Sequence, residues 1–195
     1  MKLVSFVVSL AGVAQLAQSL ENPLEGYKIV DFEWEVQTSP EGALHHVNGT
    51  VEDVFRYLKE VDPTYEVPEA PAQELATRES RLDPRQTKHI CFVLPLAYAN
   101  PIQDGINYLY RVPGTATNGP GPGECGRVSC SDNAGIWWCN DNRFAYTLPS
   151  YRVIADGVQN VKQQCLQSVN GRTMTSGQGF FDGNWNVIFG GGTTC

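Results

Sequence analysis

The seventeen residues from Cys125 to Asp141, CGRVSCSDNAGIWWCND, carry three of the chain's six cysteines and two of its four tryptophans, and they limit the fold more than any other stretch. Val128 and Cys130 alternate with Arg127 and Ser129, Asp132-Asn133-Ala134-Gly135 supplies turn chemistry, and Ile136-Trp137-Trp138-Cys139 is aromatic and β-favouring. Two antiparallel strands joined by a tight turn are therefore expected. An isolated hairpin is marginal in water, so the fold needs further strands and a helix layer over one face. Successive strand residues point to opposite faces, which puts one of Trp137 and Trp138 beneath the helices and leaves the other exposed or covered by the acidic segment that precedes residue 67.

The start of the chain fixes how the cysteines are read. Lys2 precedes the apolar run Leu3 to Val13, and Ala17-Gln18-Ser19 places small residues where a signal peptidase cuts. Residues 1–19 are expected to be a signal peptide, with a secreted, extracellular chain beginning near Leu20. No later apolar run approaches the roughly 20 residues of a membrane span, so no membrane anchor is expected. In an oxidising compartment Cys91, Cys125, Cys130, Cys139, Cys165 and Cys195 should all pair, and six cysteines leave fifteen pairings open. Cys125 and Cys130 are spaced too widely for a zinc knuckle and have no nearby histidine, so no metal is expected; with no P-loop or dinucleotide fingerprint in the sequence, no cofactor is expected either.

Charge divides the chain. Residues 21–88 hold 15 acidic and 7 basic side chains, a net of −8, whereas residues 89–195 hold 6 of each. The acidic part contains no cysteine. Val30, Phe32, Trp34 and Val36 alternate with charged residues as in a half-buried strand, Ser39-Pro40-Glu41-Gly42 reads as a turn, and Ala43 to Val47 can return as a second strand. Thr50 with Asp53 resembles a capping box, ahead of the helical stripe Val51, Val54, Phe55 and Leu58. Residues 20–66 are thus a small acidic ββα segment. Asn48-Gly49-Thr50 is a glycosylation sequon at a strand-to-helix junction, where it also reads as a plain turn and cap. Residues 67–88, with Pro68, Pro71, Pro84 and the single basics Arg78, Arg81, Arg85 and Lys88, read as a linker. An overall charge of −7 argues against nucleic acid as a partner.

Residues 89–195 form the cysteine-rich α+β domain. Ile90 to Leu94 suits a central strand, Asn100-Pro101 opens a helix carrying Ile102, Ile106 and Leu109, and residues 112–123 are a glycine- and proline-rich loop. Beyond the hairpin, Ile154, Val158, Val161 and Cys165 mark a second helix. Asn170-Gly171 is a turn, Phe180 through Phe189 a strand broken at Asp182-Gly183-Asn184, and Cys195 a terminal staple. Ile102 to Asn107 echoes Ile154 to Gln159. Two strand-helix-strand units predict a split βαβ, ferredoxin-like arrangement: four antiparallel strands with both helices on one face, stapled by disulfides.

In motif order, residues from about 90 to 195 resemble a family of small cysteine-rich secreted proteins of filamentous fungi, in which a CGRVSC…IWWCND-like segment sits between two short amphipathic helices. The resemblance implies a candidate effector with a role in virulence or a toxin-like protein, and in some members a killer-toxin-like α/β sandwich.

Chemistry is sparse. His89, Glu124 and Arg127 could be cast as a ribonuclease site, and Glu124 with Asp132 or Asp141 as a glycosidase pair, which makes a secreted hydrolase using Glu124 the alternative reading. One histidine cannot serve as both acid and base, and paired cysteines offer no thiol nucleophile. No residue is assigned a catalytic role. The preferred reading is a non-enzymatic effector or toxin-like protein that binds a host or competitor protein or glycan, with Trp137, Trp138, Tyr146 and Trp185 as its surface. The acidic segment is further expected to act as a folding aid or pro-segment that docks the face of Val30, Phe32, Trp34 and Val36 over the exposed tryptophan and is removed by cleavage between Arg78 and Lys88; the alternative, since no dibasic pair is present, is that the linker stays intact and both units remain in one mature protein.

Overall fold

A computed structural model describes residues 26–39, 42–69 and 84–195. The expected signal peptide, the new terminus near Leu20 and the single basics Arg78 and Arg81 lie outside the described residues. In the acidic front half, β1 (Lys28–Val30) leads to the hairpin β2 (Glu33–Gln37) and β3 (Leu44–Asn48), followed by α1 (Val51–Val61). The helix starts where Thr50 and Asp53 predict: the Asp53 carboxylate accepts hydrogen bonds from the Thr50 backbone N–H at 2.8 Å and from its hydroxyl at 3.0 Å. Val51, Val54, Phe55 and Leu58 make its buried face.

The cysteine-rich half continues with β4 (Gln86–Cys91), β5 (Ala97–Tyr98), α2 (Ala99–Leu109), β6 (Ala116–Asn118), β7 (Glu124–Ser131), β8 (Ala134–Asn140) and β9 (Tyr146–Leu148). It ends with α3 (Tyr151–Gln164), β10 (Leu166–Val169), β11 (Arg172–Thr175), β12 (Gly177–Phe181) and β13 (Trp185–Gly191). Six strands form the main sheet in the order β1-β7-β8-β13-β12-β4. Only the β1–β7 pair is parallel. Among the described residues no helix is long and apolar enough to cross a membrane.

The fold is α+β, but its strand order departs from the expected four-stranded arrangement. The stretch read as one interrupted strand is a full hairpin, β12–β13, with Gly183 and Asn184 at φ 93° and 54° in its turn. Strand β13 lies between β8 and β12, so β8-α3-β12 encloses one strand, whereas β4-α2-β7 encloses three. The front half supplies the sixth strand, β1. The loop expected over 112–123 contains β6, which pairs with β9 through three residues. Both echoing helices do lie on one face. Each echo places a glycine against the sheet: a Cβ on Gly105 would collide with the Ser129 hydroxyl and one on Gly157 would meet the Phe181 ring at 3.0 Å, so these positions set how closely the helices seat.

All six cysteines are paired: Cys91–Cys165 ties the edge strand β4 to the end of α3, Cys125–Cys139 crosses the β7–β8 hairpin, and Cys130–Cys195 ties β7 to the last residue. None reaches the front half, which is held by non-covalent contacts: the β1–β7 ladder, the Lys28–Glu124 pair and a shared apolar core. Phe32, Trp34, Val36, Val47, Val54, Phe55 and Leu58 belong to the same core as Ile106, Trp138, Tyr151 and Val187. Beside this contact the Glu52 carboxylate reaches a bulge in β7, accepting from the Ser129 hydroxyl at 2.7 Å and the Cys130 N–H at 3.2 Å.

Candidate functional site

Three of the four residues expected to form a binding surface are core residues. Trp137, Trp138 and Trp185 are 2%, 0% and 2% exposed. The alternation of the hairpin does send Trp137 and Trp138 to opposite faces. Trp138 lies beneath the helices with Phe32 edge-on at 5.7 Å, while Trp137 is covered by Tyr27, Ile29, Val93 and Leu94 on the other face. Trp185 stacks on Phe181 at 4.3 Å, and half-buried Tyr146 packs against the main core. The front half docks through Phe32, Trp34 and Val36, without Val30, and it does so on Trp138 beneath the helices instead of on an exposed tryptophan; Trp137 is covered by Tyr27 and Ile29, which precede that face.

The residues of the hydrolase reading are not brought together. His89 is on the edge strand β4, and Glu124 and Arg127 are on β7, with β12, β13 and β8 between them. Four strand spacings of about 4.8 Å separate the two strands by about 19 Å. Glu124 pairs with Lys28 at 3.0 Å, and Arg127 donates to the Thr194 carbonyl at 2.8 Å. Asp132 sits at the turn of the β7–β8 hairpin, a strand's length from Glu124.

Asp141 joins a polar cluster on the helix-free face. Its Oδ2 accepts from Asn186 Nδ2 at 2.7 Å, and Gln178 Nε2 donates to the Tyr27 hydroxyl at 2.9 Å and to Asn186 Oδ1 at 3.1 Å. Burial pushes the Asp141 carboxyl above its usual range, and burial together with the Asp141 charge raises Tyr27. A carboxyl whose folded pKa exceeds its unfolded value stabilises the fold fully below the unfolded pKa, and that contribution is lost as pH rises through the folded one. Asp141→Asn retains an acceptor for Asn186 without the charge. It is expected to leave the protein at least as stable at neutral pH and to flatten the pH dependence just above about pH 4, as read from denaturation midpoints. An unchanged pH profile would remove Asp141 as its source.

The exposed aromatic that does gather polar partners is Tyr98, 44% exposed. It sits in β5, paired with Met174 of β11, and leads directly into α2. The Arg172 guanidinium lies over its ring at 5.3 Å, and Nη1 donates to its hydroxyl oxygen. Two clefts adjoin it. One of about 470 Å³ is lined by Tyr98, Asn100, Pro101, Asp132 and Asn133; the other, of about 260 Å³, by Tyr98, Ala99, Asn100, Arg172 and Thr173. The ring stands between the β7–β8 turn, Asp132-Asn133 at φ 48° and 58° in the left-handed conformation of a type I′ turn, and Arg172-Thr173 at the start of β11, just after the Asn170-Gly171 turn.

Disulfides tie both hairpins to the rest of the fold. Cys130 lies two residues before Asp132 and Cys165 immediately precedes β10, so Cys130–Cys195 and Cys91–Cys165 anchor the two hairpins that present the clefts. In the sequence Asp132-Asn133 is legible as a turn, whereas Tyr98 lies in Leu94-Pro95-Leu96-Ala97-Tyr98, a run without periodicity that signals nothing. A larger cleft of about 510 Å³ lies on the front half near Gln37, Tyr65 and Pro68; of its two carboxylates, Asp62 is taken up by Thr64. No protein-family model, curated protein or solved structure matches the chain.

Proposed function

We propose that this chain is a secreted, non-enzymatic effector-like or toxin-like protein that binds a host or competitor molecule, and that Tyr98 with the Asp132-Asn133 turn and the start of β11 is the contact surface. The observation that carries the reading is the placement of an exposed, arginine-stacked tyrosine between two disulfide-tied hairpins, β7–β8 and β10–β11. Such a surface is rigid before it meets its partner, so little conformational entropy is lost on binding. Three disulfides are usual for an extracellular protein. Kinship with the fungal secreted family and its killer-toxin-like sandwich is part of the proposal and rests on the CGRVSC…IWWCND segment between α2 and α3. Asn48 is exposed at the end of β3 and is proposed to carry a glycan.

The front half is retained in the functional form, because its apolar side chains share a core with Trp138 and Tyr151. N-terminal sequencing of the secreted protein is expected to find one species beginning near Leu20; a product beginning after Arg78 with no front half attached would overturn this. For the activity, the purified, oxidised protein is expected to turn over neither RNA nor cell-wall glycans. Hydrolysis by the wild type that disappears in Glu124→Gln would replace the binding reading with the hydrolase one.

A further inference from the structure

We infer that the Tyr98 surface binds a short, neutral oligosaccharide of at least two pyranose units; this deepens the binding function proposed above and rests on it. The inference comes from what the two clefts hold. A pyranose ring presents a flat C–H face and a rim of hydroxyls, each of which both donates and accepts hydrogen bonds. An exposed phenol ring matches the face. Amides match the rim, since each offers a carbonyl acceptor and N–H donors, and a carboxylate can accept from two neighbouring hydroxyls. The larger cleft puts Asn100, Asp132 and Asn133 around Tyr98, and the smaller puts Asn100, Arg172 and Thr173 on it. Tyr98 and Asn100 are common to both, so a chain of sugars crossing from one cleft to the other would keep contact with the same two side chains.

Charge sets the neutral preference. Asp132 and Arg172 are the charged side chains among the lining residues, one of each sign, and the whole chain carries −7. The two cancel in a half of the chain that is itself neutral, so a polyanionic glycan or nucleic acid would find no net attraction there. A protein partner fits less well, because stable protein interfaces bury roughly 800 Å² per side around apolar anchors, whereas here Tyr98 stands among amides, a hydroxyl and two opposite charges. The arginine also prepares the site: placed over the ring and bonded to its hydroxyl, it fixes the tyrosine rotamer, and it lines the smaller cleft.

Asp132 and Asn133 make a structural role separable from a binding one. Both hold the left-handed conformation of a type I′ turn, where glycine at the second position is preferred. Asn133→Gly should therefore leave the hairpin as stable or more stable while removing an amide from the larger cleft. Tyr98→Ala removes the platform.

The test is titration of the full-length, oxidised protein, by calorimetry or NMR, with neutral hexasaccharides built from β-1,3-glucose, β-1,4-glucose, β-1,4-N-acetylglucosamine, β-1,4-xylose or α-mannose, and with an oligogalacturonate as the anionic control. At least one neutral probe is expected to bind saturably and the anionic one not at all. Tyr98→Ala should weaken binding about tenfold. Asn133→Gly should weaken it severalfold with an unchanged or raised melting temperature. No saturable binding of any neutral probe up to millimolar concentration would overturn the inference, as would binding that Tyr98→Ala and Asn133→Gly leave unaltered. Capture of a different, non-sugar ligand in a Tyr98-dependent way would sink the sugar assignment and leave the binding function standing. A sugar that is bound and then cleaved, with cleavage lost in Glu124→Gln, would instead sink the non-enzymatic reading and keep the sugar site.

Discussion

Trp34→Ala is expected to lower the unfolding free energy by about 3–5 kcal/mol, which approaches the whole stability of many domains, about 5–15 kcal/mol. The side chain is fully buried, stacks on Tyr151 at 4.7 Å and meets Phe32 edge-on at 4.9 Å. Its indole N–H donates to the Gly49 carbonyl at 2.9 Å, so truncation leaves both a cavity and a buried acceptor without its partner. Equilibrium unfolding in urea measures the loss directly. A cost below about 1 kcal/mol would mean that the front half only leans on the cysteine-rich half. For the same reason a chain reduced to residues 84–195 is expected to collapse without cooperative unfolding, since it lacks every partner that Trp138 and Tyr151 find in the front half.

Replacing the pair Cys91 and Cys165 by alanine is expected to cost about 4.5 kcal/mol, against about 3 kcal/mol for the pair Cys125 and Cys139. The order follows from the lengths of chain that the bridges close, a sequence separation of 74 residues in the first case and 14 in the second. A longer closed segment removes more freedom from the unfolded chain. Paired alanine variants avoid leaving a stray thiol. Denaturation midpoints of the two variants, compared in the same buffer, decide the ranking; the reverse order would show that native packing around Cys125 and Cys139, both fully buried, outweighs loop closure.

What the sequence revealed of this fold is its local part. Thr50 and Asp53 announce α1, Asp132-Asn133 announces the β7–β8 turn, and the spacing of Ile154, Val158 and Val161 announces α3, because caps, turns and periodicity are properties of neighbouring residues. Pairing across long separations is different. Periodicity tells which face of β1 and β2 is apolar but not what covers it, and nothing within Lys28–Val30 specifies a parallel partner at Glu124–Gly126. The tryptophans show the same limit: alternation separates Trp137 from Trp138, yet the burial of Trp137 depends on Tyr27, Ile29, Val93 and Leu94, which come from two distant segments. Short elements also escape. Strand β6 spans three residues between Gly114 and Gly119, too few for any period, and Tyr98 owes its prominence to Arg172 and to turns that arrive from elsewhere in the chain.

The shared core of the two halves imposes a schedule on biosynthesis. The ribosome delivers Phe32, Trp34 and Val36 first, and their partners Trp138 and Tyr151 only about a hundred residues later. At the usual elongation rate of 5–20 residues per second, the apolar face of the front half waits for about 5–20 seconds with only α1 to cover it. Its net charge of −8 falls in that same stretch, where mutual repulsion between nascent chains would hold them apart during the wait.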